Sequence, residues 1–149
     1  MATTRTRGYN PQKVRLTVGG FVVEGFSNGS SITAEPVQEN AAEYEYSLDG
    51  RTVMVSQNVE AGYIITFSVQ PSSRSYKRLT TQQKTQQDSE AGVIDDLAVR
   101  LYDPMNGDSL SDSQGYFLTR PKLGRGTKPD GVEFKILLPS PSSTFGAEL

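Results

Sequence analysis

The sequence contains no cysteine, no histidine and no tryptophan. Without cysteine there is neither a disulfide framework nor a thiolate metal site, and without histidine the commonest metal ligand and the commonest general base are gone. Carboxylate-only metal sites and a glycosidase-like acid pair survive this exclusion, and both need acids gathered in a pocket. The 17 acidic residues are instead scattered among turns and strands, so the expectation is a protein that is not an enzyme and holds no cofactor or metal. An excess of one charge is also lacking. Fifteen Lys and Arg against 17 acids leave a net charge of −2, too weak a global field to draw the chain to nucleic acid or an anionic membrane. No apolar run approaches the ~20 residues that span a bilayer, and the opening MATTRTRGYNPQK has no signal-like apolar core. Synthesis and folding in the cytoplasm are expected.

The 149 residues suffice for one domain with a real core and are too few for two ordinary ones. The chain is organised around Gly62 to Gln87. Tyr63 to Gln70 is rich in β-branched and aromatic residues, and the alternation from Ile65 onward puts Ile65, Phe67 and Val69 on one face, the core face of a strand. Pro71 ends the pairing, Ser72 or Ser73 caps a helix, and Tyr76, Leu79 and Gln83 follow at helical spacing. The apolar face of this helix, about residues 73–86, is narrow, so it must lie across a sheet.

Elsewhere strand signals dominate. Val14, Leu16 and Val18 alternate with polar neighbours, and Gly19-Gly20 turns the chain into Phe21 to Phe26 as a first hairpin. Ser31 to Glu35 is a short strand closed by Pro36. In the acidic stretch from Pro36 to Asp49, Glu43 and Glu45 share one face of an extended segment and Tyr44 and Tyr46 the other. Asp49-Gly50 then turns into Arg51 to Asn58, a second hairpin. Leu97, Val99 and Leu101 mark a further strand, Ser109 to Leu118 a weak one, and Val132 to Leu138 the last clear one. Residues 1–12 form a loose arm and 140–149 a flexible tail.

Several motifs have a plainer reading. Gly124 to Lys128 has glycines and a lysine but not the spacing of a phosphate loop, and no helix follows. Arg120, Lys122, Arg125 and Lys128 lack an aromatic ladder beyond Tyr116 and Phe117, so a solvated or subunit-contacting loop is expected. Glu43 and Glu45 beside Asp49 have the form of an acid pair, but sit about 7 Å apart at Cα on one strand face, with nothing to split their pKa values. Asp95-Asp96 suits turn capping better than cation binding.

The order of motifs is more specific than any one of them. Val18-Gly19-Gly20 leads to Glu24-Gly25-Phe26, then Ser47-Leu48-Asp49-Gly50-Arg51, Ser56-Gln57-Asn58, Gly62-Tyr63-Ile64-Ile65-Thr66 and Pro71-Ser72-Ser73 before a helix. This set resembles the tail tube proteins of contractile-tailed bacteriophages, most densely over residues 13–80 and more weakly over 93–138. The resemblance implies an antiparallel β-sandwich or barrel with one flanking helix, assembled into hexameric rings that stack into the tail tube of a virion. DNA passes through such a tube without specific binding, and the tail sheath, tape-measure and baseplate proteins are the implied partners. Within that picture Glu43 and Glu45 are candidates for the lumen, with Tyr44 and Tyr46 packed inward on the subunit core. Tyr9, Asn10, Asp49 and Arg51 are candidates for contacts between rings. The family has no catalytic residues to transfer, and the basic segment from Arg120 to Lys128 has no counterpart in it. The alternative is a monomeric β-sandwich that recognises sugar or protein through its loops, with the tyrosine-bearing segments 44–46 and 102–117 as its contact surface.

Overall fold

A computed structural model describes residues 14–26, 32–57, 61–88, 97–122 and 131–146. In chain order they form β1 (Arg15–Val18), β2 (Phe21–Val22), β3 (Thr33–Pro36), β4 (Ala42–Tyr46), β5 (Val53–Gln57) and β6 (Tyr63–Val69). The helix α1 (Arg74–Gln87) follows, and then β7 (Val99–Asp103), β8 (Asp108–Asp112), β9 (Tyr116–Phe117), β10 (Val132–Leu138) and β11 (Ser142–Thr144).

Alternation dictates the central pair. β6 and β10 are antiparallel over their whole length, with Phe67 opposite Phe134, Ile65 opposite Ile136 and Val69 opposite Val132. Every one of these six side chains is buried, while the alternate residues Ser68, Glu133, Thr66 and Lys135 face away from the core, because successive side chains leave a strand on opposite sides. The Phe67 and Phe134 rings stack at 5.8 Å, and Phe26 and Phe117 meet them edge-on. β3 and β9 extend this sheet to the order β3-β6-β10-β9.

The second sheet, ordered β11-β8-β7-β1-β2, is also antiparallel. It contributes Leu16, Val18, Val99 and Leu110 to the same core. At Gly115 the two sheets approach so closely that a Cβ would lie 2.6 Å from Val99 Cγ2 and 3.3 Å from Ile136 Cγ2. The fold is thus mainly β, with open antiparallel sheets and one helix, as the sequence predicts; neither sheet closes into a barrel among the described residues. The Gly19-Gly20 turn also forms as expected, with φ of 59° and 88°, values at which a side chain is strained and which suit a two-residue hairpin.

Ser73 is the N-cap of α1: its backbone is extended, and its Oγ accepts from the Tyr76 N–H at 3.2 Å. Leu79 is fully buried and Tyr76 packs edge-on to Phe134 at 6.4 Å, so the narrow apolar stripe does lie on the sheet that contains Phe67. Its continuation is polar. Gln86 is buried; its Nε2 donates to the Gly115 carbonyl at 2.9 Å, and its Oε1 accepts from the Phe117 N–H at 3.0 Å. One carboxamide thereby takes the place of a neighbouring strand at the free edge of β9, an arrangement that apolar periodicity cannot announce.

Three strand expectations need correction. The first hairpin is regular only through Val22, after which Phe26 makes an isolated bridge to Val69. The weak strand at 109–118 is two strands, β8 and β9, in different sheets. Part of the segment read as a tail, Ser142–Thr144, is β11, paired with Ser109 to Ser111 of β8; these short serine-rich residues carry no strand signal, and the pairing is supplied by a distant edge. The arm at 1–12, Asp95-Asp96, residues 123–130 of the basic segment and 147–149 lie outside the described residues.

Four substitutions test this packing. Leu79→Ala should cost about 2–5 kcal/mol of stability by the cavity it leaves, and Leu79→Asp more, because it buries an unpaired charge; Thr81→Ala on the exposed face should stay within about 0.5 kcal/mol. Gln86→Ala strands a carbonyl and an amide, at about 1–3 kcal/mol for each unsatisfied group. Chemical denaturation measures all four changes, and amide exchange at Phe117 should accelerate in the Gln86 variant.

Candidate functional site

The feature that the core does not explain is the β4–β5 hairpin. Pro36 of β3 pairs with Tyr63 of β6, and the Val37 N–H donates to the Gly62 carbonyl at 2.9 Å. The chain between these closures therefore leaves the end of a core ladder and returns to it. Within the excursion β4 and β5 pair with each other and form a separate two-stranded sheet.

Its tip is tightly specified. The Ser47 N–H donates to the Thr52 carbonyl at 2.8 Å, and the Gly50 N–H to the Ser47 carbonyl at 2.9 Å, with Gly50 at φ 71°. Asp49 accepts from the Ser47 hydroxyl and, at 3.1 Å, from the Arg51 N–H. The Thr52 N–H in turn reaches Ser47 Oγ at 3.1 Å. The Ser47 hydroxyl first, and the Arg51 amide second, hold the Asp49 carboxyl below its ordinary pKa, since both bonds favour the charged form.

Every residue of both strands is exposed. Tyr44 faces Val55 and Tyr46 faces Val53, while Glu43 faces Ser56 and Glu45 faces Met54. One face is thus aromatic and aliphatic, the other acidic with a methionine. Tyr44 and Tyr46 are 72% and 59% exposed and pack edge-to-face on each other at 5.9 Å. The expectation that they point into the subunit core is therefore wrong. Alternation correctly separates tyrosines from glutamates, but the hairpin stands off the core, and neither face reaches it. A two-stranded ribbon is marginal by itself, and a cluster of exposed tyrosine and valine is characteristic of a surface that meets another molecule.

Glu43 and Glu45 share the open acidic face with no cleft about them. Asp49 and Arg51 stand together at the tip, joined by the turn, whereas Tyr9 and Asn10 lie outside the described residues. The tyrosines proposed for a loop-borne binding surface are dispersed: Tyr44 and Tyr46 on the hairpin, Tyr102 in the five-stranded sheet and Tyr116 in the four-stranded one. Shallow grooves also mark the surface of the described residues. One crosses Arg100, Ser111 and Asp112, and another runs between Gln83, Tyr116 and Arg120. Among the described residues no group of three or more acids is placed to hold a metal ion.

No protein-family profile matches the sequence, and comparison with curated proteins finds no match either. Solved structures do match. The chain is similar to the cap of the anti-feeding prophage, described as a tube-terminating cap, with a TM-score of 0.57 at 11% identity over 97% of this chain and 95% of that one. It is similar to the sheath/tube terminator of PVC, an extracellular contractile injection system, in its extended state (TM-score 0.55, 10% identity, 97% and 100% covered). It also matches a chain of the PVC sheath-tube complex in the extended state (TM-score 0.51, 11% identity, 89% and 88% covered). At such identities the likeness establishes a shared fold.

The lowered pKa of Asp49 fixes the pH response of the tip. A depressed folded-state pKa contributes stability above the unfolded value, and that contribution is lost as pH falls through the folded value. The tip should therefore stay ordered through mildly acid pH and loosen only below the usual aspartate range, and Asp49→Asn should remove this dependence. NMR titration of the Asp49 carboxyl, with amide exchange at Arg51 and Thr52, measures it; titration at or above an ordinary aspartate value would contradict the bonding described.

Proposed function

We propose that this chain is a structural subunit of a contractile tail, self-assembling into hexameric rings that stack into the axial tube. The observation that carries this reading is the hairpin, a specified element whose tyrosine and valine face is exposed and finds no cover among the described residues. Association with copies supplies that cover. The shared fold with a terminator, a cap and a sheath-tube component, over nearly the whole length of each chain, supports the same reading. So do the ordered motifs from Val18 to Ser73. In this role the chain contacts itself within and between rings, with sheath, tape-measure and baseplate proteins as neighbours, and DNA slides through a bore that binds no sequence. Tyr9, Asn10, Asp49 and Arg51 serve contacts between rings.

A second reading has its own support. Two of the three matches described above are a tube-terminating cap and a sheath/tube terminator, so the chain as a single ring that closes a tube is the alternative role. Negative-stain microscopy of purified protein separates the two, since a tube subunit grows into filaments and a terminator stops at one ring. A monomer at every concentration would refute both.

The hairpin's role is tested directly by Tyr44→Ser with Val55→Ser. The pair should abolish association in sedimentation velocity while leaving the melting temperature of the subunit unchanged, because neither side chain touches the core. Removal of residues 2–10 should impair growth more than folding.

A further inference from the structure

The exposed face of α1 is basic and makes no ion pair among the described residues, the acid nearest to it in sequence being Asp88 at the C-cap. Arg74, Lys77 and Lys84 lie on the side of the helix opposite buried Ser75, Leu79 and Gln86, with Thr81 between them. The remaining cation, Arg78, is engaged at the flank, its guanidinium 5.2 Å from the Phe21 ring centroid. The helix contains no acid at all. Among the described residues the one ion pair is Lys135 with Glu133, on β10. Arg74 and Lys77 also occupy the first turn, where the helix dipole disfavours positive charge and an acid is the usual residue. A sequence that places two cations there, without an ion-pair partner among the described residues, departs from the local rule in a way typical of functional surfaces.

The hairpin has the reverse character. Between residues 36 and 57 there are four acids, Glu39, Glu43, Glu45 and Asp49, against the single cation Arg51. Glu43 and Glu45 stand side by side on the face that also exposes Met54. Dimensions agree as well: a 14-residue helix is about 21 Å long, and a five-residue strand about 17 Å. Lys77 and Lys84 are two turns apart, about 10.5 Å, and long side chains close the difference from the shorter spacing of the glutamates.

We propose that the acidic face of the β4–β5 hairpin docks on the exposed basic stripe of α1 in the next copy of this chain, Glu43 and Glu45 meeting Lys77, Lys84 and Arg74, with Met54 over Thr81. The contact joins two different surfaces, so in a head-to-tail arrangement it is heterologous, and its repetition closes into a ring or propagates as a helix or tube; a dimer that stops at two copies would instead show reciprocal pairing. It rests on the assembly reading above and gives the hairpin's second, acidic face a receptor, leaving the tyrosine–valine face to a separate contact. It also assigns Glu43 and Glu45 to a contact between copies and removes them from the bore.

Charge reversal tests it. Lys77→Glu with Lys84→Glu, and separately Glu43→Lys with Glu45→Lys, should each raise the concentration needed for association about tenfold. The four changes together should restore association and return the net charge to its original value. Salt near 1 M, where the Debye length is about 3 Å, should weaken association of the native protein and have far less effect on the residual association of the Lys77→Glu, Lys84→Glu variant, which has already lost the attraction. All four reversed residues are exposed, so unaltered melting temperatures verify the fold. If the native protein associates but the reversals have no effect, or the combination fails to restore it, the helix contact is wrong and the assembly reading stands. Equal loss from Arg120→Glu with Lys122→Glu would trace the effect to overall charge and overturn the contact. Retention on duplex DNA lost with the lysine reversals, with association intact, would give the stripe to nucleic acid instead. If the native protein never associates, the assembly reading itself fails.

Discussion

The whole molecule hangs on the antiparallel pairing of β6 with β10. Seven consecutive residue pairs align Ile65, Phe67 and Val69 with Ile136, Phe134 and Val132, so that one register decides the composition of the core. A slip of one residue would carry every one of those side chains to the other face. The pairing joins segments more than sixty residues apart in sequence, which makes its loop-closure entropy considerable, and the stacked phenylalanines at its centre help to offset it. Helix α1 depends on the same pair, because Tyr76 packs against Phe134 and Leu79 is buried beneath the helix. The five-stranded sheet then completes the other side of the core with Leu16, Val18, Val99 and Leu110.

With the core closed in this way, polar and apolar groups are managed differently at the periphery. At the β9 edge, where an open strand would invite pairing by another chain, the Gln86 carboxamide occupies both the Gly115 carbonyl and the Phe117 amide. At the opposite end of the same sheet the β3–β6 ladder is extended into the β4–β5 hairpin, with tyrosines and valines left in solvent. One edge is sealed within the subunit and the other is prolonged into an exposed apolar ribbon. That asymmetry leaves the two ends of one sheet with opposite surface character.

Charge follows the same division. Basic residues collect on the outward stripe of α1 and acidic residues on the hairpin, while the chain as a whole is close to neutral. A global charge count therefore misses what is electrostatically distinctive here, namely opposite charges segregated on surfaces from different elements. Complementary charge of this kind governs orientation and specificity of an encounter more than raw affinity.

What the sequence by itself determined is local in origin. The alternation in Tyr63–Val69 and Val132–Leu138 follows from the two-residue period of a strand, the start of α1 from the reach of the Ser73 hydroxyl, and the first turn from glycine's freedom at positive φ. The division of the hairpin into a tyrosine face and a glutamate face has the same origin, since alternation separates faces wherever a strand forms. Which of those faces meets the core is not a local property, and only the tertiary structure decided that Tyr44 and Tyr46 meet neither sheet. The same holds for the strand at Ser142–Thr144, which exists because the β8 edge offers it partners, and for Gln86, whose burial depends on two backbone groups about thirty residues away. In each instance the deciding partner lies far off in sequence, and the free energy of the arrangement resides in a contact that only the folded chain brings together.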